Sequence, residues 1–142
     1  MSVPREKKRL LFICTHNAAR SQIAEGLLRA LYGNRYEVFS AGTEPGRVSS
    51  YAIRVMAEIG IDIGAHCAKS LQEFLDQEFD YVVTVCDNAK ESCPYFPGGK
   101  KILHKSFEDP SALNGTKEEI MAGFRRVRNE IRNWIKNEFP NV

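Results

Sequence analysis

The chain is 142 residues long, enough to bury roughly 70% of its unfolded surface and hold a core without disulfide or metal staples. It is 43% hydrophobic and 27% charged, and its 20 basic and 18 acidic residues leave a net charge of +2, too even for a nucleic-acid or membrane-surface partner. The first apolar run, Leu10 to Ile13, is too short for a signal peptide or a membrane span. The expectation is one cytoplasmic domain over 1–142, acting as a monomer.

Arg9 to Cys14 reads as a buried strand, and Arg20 to Tyr32 as a helix with Ile23, Leu27, Leu28 and Leu31 on one face, stopped at Gly33 and Asn34. Tyr36 to Ala41 is a second strand, followed by a loop from Gly42 to Gly46. Tyr51 to Ile59 suits a helix closed by Gly60, and Ser70 to Phe79 a shorter one. Tyr81 to Cys86 is the clearest strand, β-branched and apolar on both faces, and Lys101 to His104 a weaker fourth. Thr116 and Glu119 form a capping box for a last helix carrying Ile120, Phe124, Val127, Ile131 and Trp134. Its Arg125, Arg126, Arg128 and Arg132 read as a solvated face. Strands alternating with helices predict an α/β fold, a four-stranded parallel sheet flanked by helices in three layers.

The four cysteines, Cys14, Cys67, Cys86 and Cys93, lack the close pairing of a zinc site, and in a reducing compartment they point to catalysis or burial. Open parallel sheets bind ligands at the carboxyl ends of their strands. There the chain places Cys14-Thr15-His16-Asn17-Ala18-Ala19-Arg20-Ser21, between the first strand and the first helix. Backbone N–H groups of such a loop converge on an anion, and their field favours a Cys14 thiolate, expected to titrate below the ~8.5 of a free thiol. Arg20 offers a two-pronged contact to a tetrahedral oxyanion, Ser21 a hydroxyl for the sulfur, and Asn17 a residue that tolerates the left-handed backbone.

With these residues the chain resembles the low-molecular-weight tyrosine phosphatase fold and, more closely, the thioredoxin-coupled arsenate reductases built on it. The resemblance is carried by CTHNAARSQIAEG (Cys14 to Gly26), SAGTEP (Ser40 to Pro45), GIDIGAH (Gly60 to His66), VTVCDNAKESCP (Val83 to Pro94) and FEDPSA (Phe107 to Ala112). It implies a 2-1-3-4 strand order and an oxyanion loop over Cys14, Thr15, His16, Asn17, Ala18, Ala19 and Arg20. It also implies Cys14 as nucleophile assisted by Arg20 and Ser21, Asp109 as acid, and Cys86 and Cys93 as redox partners. Arsenate, or phosphate, would be the ligand, thioredoxin rather than glutaredoxin the reductant, and no metal or organic cofactor is implied. Ser111 stands where the phosphatases usually carry an aromatic, which favours a small oxyanion. Two alternatives are a phosphatase acting on phosphotyrosine or small phosphoesters, and a non-catalytic oxyanion sensor.

The chain departs from the family at His16, often Gly, and at Ala19, often a further cysteine. Some members hold potassium through positions matching Asn17, Glu25, Ser40, Cys67 and Lys69; Cys67 and Lys69 are unsuited to a hard cation, so no bound potassium is expected, with Lys69 reaching toward Glu25. Cys67 reads as a bystander and His66 and His104 as structural, while His16 is open between a tuning and a passive role. Were Asp87 to Ser92 a short helix, a rise of ~1.5 Å per residue would hold Cys86 and Cys93 about 10.5 Å apart, beyond the ~7 Å a disulfide spans, so oxidation would unwind it.

Overall fold

The computed structural model describes residues 7–86 and 96–139. Strands β1 (Lys8–Cys14), β2 (Tyr36–Gly42), β3 (Phe79–Thr84) and β4 (Gly99–His104) form one parallel sheet in the order β2-β1-β3-β4, as the alternating pattern predicts. β1 lies between two neighbours, and Leu10 to Ile13 are wholly buried. Such a strand is hidden edge to edge and on both faces, which is why it reads as an unbroken apolar run. The register pairs Cys14 with Gly42 and Ile13 with Thr84, so three carboxyl ends share one rim.

Helix α3 (Lys117–Glu138) packs against α1 (Arg20–Tyr32) and α2 (Ser50–Ala57). The residue after it, Phe139, meets Phe12 and Tyr36 edge-on. On the opposite face Phe39 meets Phe74 and Phe79, and Phe79 meets Phe96. The predicted capping box of α3 is present, with the Thr116 hydroxyl accepting from the Glu119 N–H.

Several boundaries move. α2 ends at Ala57 because Gly60, at φ 78°, closes it, with the Ile59 and Ile61 N–H groups both donating to the Met56 carbonyl. The helix expected from Ser70 to Phe79 is a single 3-10 turn, Leu71–Phe74, capped by Ser70 and Glu73. Phe79 instead opens β3, paired to Gly99, which also lengthens β4. β3 therefore stops at Thr84. Val85 still donates its N–H to Ile13, but Cys86 lies two residues past the strand rather than at its end. The segment from Asp87 to Ser92, and Cys93, lie outside the described residues.

The arginines of α3 are not merely solvated. Arg128 is 8% exposed and donates to the Val55 carbonyl and to Glu58 at 2.8 Å, while Arg125 grips the same carboxylate at 2.7 Å. Their side chains tie α3 to the end of α2. The Arg125 contact, with Arg128 adding to it against the cost of burial, holds the Glu58 carboxyl down at about 2. A carboxyl lowered on folding stabilises the chain above its unfolded pKa of ~4.3 and loses that contribution as pH falls toward the folded value. Glu58→Gln should therefore lower the thermal midpoint by a few degrees at neutral pH, with the gap from the parent closing between pH 4 and 2. A gap independent of pH would contradict the ion-pair account.

Candidate functional site

The segment between β1 and α1 wraps around the N-terminus of α1, and a second loop holds it there. Thr43, Glu44, Gly46 and Ser49 donate their N–H groups to the carbonyls of Cys14, Thr15, His16 and Ala18 at 2.8–3.2 Å. In a trans peptide the carbonyl and the next N–H point opposite ways. With these four carbonyls turned outward, the N–H groups of Thr15, His16, Asn17 and Ala19 face the inner side of the loop. Gly42 is required at this junction, because a Cβ there would sit 2.7 Å from the Thr15 oxygen and 2.9 Å from the Asn17 nitrogen.

Asn17 takes the left-handed backbone expected of it, with φ 52°. Its buried amide donates to Ser21 at 2.7 Å and Ser40 at 2.9 Å, and its oxygen accepts from the Lys69 N–H and the Gln22 amide. Ser40 in turn donates to Glu25. Ser21 accepts from Asn17, and the Thr15 hydroxyl lies 3.4 Å from the Cys86 sulfur.

Glu25, 4% exposed, is met by Arg29 at 2.7 Å and Lys69 at 3.8 Å. The Lys69 ammonium reaches toward Glu25 as expected, and also reaches the Cys67 carbonyl at 3.1 Å. His66 donates from Nδ1 to the Gln22 side chain and receives Arg29 at Nε2, and burial, with Arg29 and Lys69 nearby, pushes its pKa down. That is the structural role expected, as is that of His104, 2.7 Å from Thr84. Cys67 is exposed and offers the network only its carbonyl.

A pocket of about 230 Å³ opens over the loop, lined by Cys14, His16, Ala18, Ala19, Arg20, Gly46, Arg47, Asp109 and Ser111. Arg20 donates to the Phe107 carbonyl at 3.1 Å and lies 3.5 Å from Asp109, yet its Nε is buried without a partner. A buried donor left unmade is costly, so this nitrogen is poised for an acceptor. Asp109 is fixed by the Ser111 N–H at 2.9 Å, and both it and Ser111 belong to the pocket wall. His16 is exposed, with Nδ1 donating to the Glu44 carbonyl at 2.8 Å. Arg47 was not singled out in the sequence; its one signal is a cation in the loop after SAGTEP.

The structure brings Cys14 and Cys86 together, both buried and in hydrogen-bond contact. It also reverses one expectation. The contact with Cys86, and then burial, push the Cys14 thiol up, outweighing Arg20 and the Thr15 N–H, which pull it down. Beside Cys86 the Cys14 thiol is a weaker acid than a free one. Cys86→Ala should therefore lower the pH midpoint for alkylation of Cys14; an unchanged or higher midpoint would show that the neighbouring thiol does not weaken that acid.

The model of the family described as low molecular weight phosphotyrosine protein phosphatase matches residues 9–139. A protein of Halalkalibacterium halodurans named arsenate reductase is 44% identical over 130 residues, covering 92% of this chain and 94% of that one. A solved arsenate reductase in a phosphate-binding state superposes with a TM-score of 0.78 at 30% identity, over 92% of this chain and 95% of the other. A Corynebacterium glutamicum thioredoxin-dependent arsenate reductase gives 0.69 at 32% identity, over 95% of this chain and 63% of its own length.

Proposed function

This chain belongs to the low molecular weight phosphotyrosine protein phosphatase family, and we propose that within it the chain reduces arsenate to arsenite. The observation that carries the reading is a second buried thiol, Cys86, in contact with Cys14 beside an oxyanion loop whose Arg20 Nε awaits an acceptor. Hydrolysis of a phosphoester needs one nucleophile; the reduction of arsenic needs a second sulfur to displace it.

The cycle begins with arsenate held by the loop N–H groups and Arg20. The Cys14 sulfur attacks arsenic, and an As–O bond breaks. The thiol proton passes to the departing oxygen by way of Asp109, so that water leaves and Cys14 carries the arsenic. Cys86 then attacks the Cys14 sulfur. The S–As bond breaks with its electron pair on arsenic, which leaves as arsenite after taking up protons, and Cys14 and Cys86 are joined. Cys93 attacks Cys86 in turn, returning Cys14 to the thiol, and the dithiol of thioredoxin reduces the Cys86–Cys93 bridge. The role of Cys93 rests on the sequence resemblance, and that of thioredoxin also on the likeness to a thioredoxin-dependent relative. The cycle needs no resident metal or organic cofactor, and a reducing compartment such as the cytoplasm supplies its reductant.

The alternative, a phosphatase, draws on the family itself, but the wall formed by Ser111 gives an aryl ester no ring to stack on. Arsenate-dependent NADPH oxidation with thioredoxin and its reductase tests the reading, with glutaredoxin and glutathione as the second arm. Cys14→Ser should abolish both this activity and any hydrolysis of p-nitrophenyl phosphate, whereas Cys86→Ser and Cys93→Ser should abolish only the reduction. Asp109→Asn should slow both reactions by about 10²-fold. Parental arsenate turnover by Cys86→Ser would refute the two-thiol cycle.

A further inference from the structure

The cation at the mouth of the pocket, Arg47, has no role in the cycle above. It is exposed and makes neither a hydrogen bond nor an ion pair among the described residues, so no interaction within the fold accounts for it. The same N–H groups of Gly46 and Ser49 that turn the loop carbonyls outward flank it on both sides. The backbone that presents Arg47 is therefore fixed to the backbone that shapes the oxyanion loop. Among the described residues Asp109 is the one carboxylate lining the pocket, and it faces Arg20 at 3.5 Å. The charge of Arg20 is thus partly answered, while that of Arg47 is not.

We infer that Arg47 is the second cation of the oxyanion site, one that captures doubly charged tetrahedral oxyanions such as arsenate and phosphate and retains them at the mouth before and during turnover. This rests on the oxyanion reading of the loop and deepens it. A dianion meeting one free cation in a concave site is attracted over several ångströms, and the attraction weakens with salt. The same contact is made in the ground state and the transition state, so it acts on KM rather than kcat.

Arg47→Ala should raise KM for arsenate, and the Kd of inorganic phosphate measured by calorimetry, about tenfold at low ionic strength, with kcat within about twofold. Arg47→Lys should restore most of the affinity, since a point charge suffices for capture. Between ~20 mM and ~0.5 M salt, phosphate binding should weaken more in the parent than in Arg47→Ala, a difference that a merely structural role would not produce. An unchanged Kd in Arg47→Ala, with phosphate binding still lost in Arg20→Ala, would overturn the assignment of Arg47 and leave the oxyanion site standing. Phosphate binding indifferent to both substitutions would overturn the oxyanion reading and this inference with it.

Discussion

Everything at this site depends on which way four carbonyls point. A seven-residue loop has enough peptide dipole to bind an anion only if its oxygens are satisfied elsewhere, and here a neighbouring loop accepts that task with its own N–H groups. Asn17 bends the chain through a left-handed conformation at the middle of the arrangement, and its amide ties the bend to Ser21 and Ser40. Gly42 lets the two loops approach. The inward N–H groups on which the proposed oxyanion site rests are set by the two loops together.

Beneath that pair lies a buried charge network that fixes the underside of the loop. Ser40 passes the pull of Asn17 to Glu25, and Glu25 is neutralised by Arg29 and Lys69. A carboxylate 4% exposed demands such compensation. In this chain a side-chain ammonium, that of Lys69, supplies part of it. Above the loop the electrostatics are different in kind: among the described residues a cation, Arg47, and an unfilled guanidinium donor face a pocket lined by a single carboxylate.

The placement of Cys86 ties fold to chemistry. β1 and β3 are neighbours because the strand order is 2-1-3-4, and the Val85 N–H extends their pairing past Thr84. That brings Cys86 beside Cys14 under the hydroxyl of Thr15. Contact with Cys86, and then burial, push the Cys14 thiol up against the pull of Arg20 and the Thr15 N–H.

The sheet, the last helix and the placing of the loop were legible in the sequence because each follows a local rule: apolar runs for strands between layers, Thr116 and Glu119 for a cap, a cysteine and an arginine flanking a strand-to-helix turn. What escaped was set by tertiary contacts. Arg128 reads as surface on its helix but meets Glu58 from another element, the turn at Leu71 gives way to a strand beginning at Phe79, and the acidity of Cys14 is decided by a cysteine 72 positions away. The central claim, that Cys14 takes up the arsenic and Cys86 displaces it by attacking the Cys14 sulfur, is tested most directly in Cys93→Ser under single-turnover conditions without external reductant. One equivalent of arsenite per chain, with Cys14 and Cys86 recovered as a disulfide by mass spectrometry, is the predicted result. Arsenate left unreduced, or both thiols still free to alkylating agent afterwards, would contradict it.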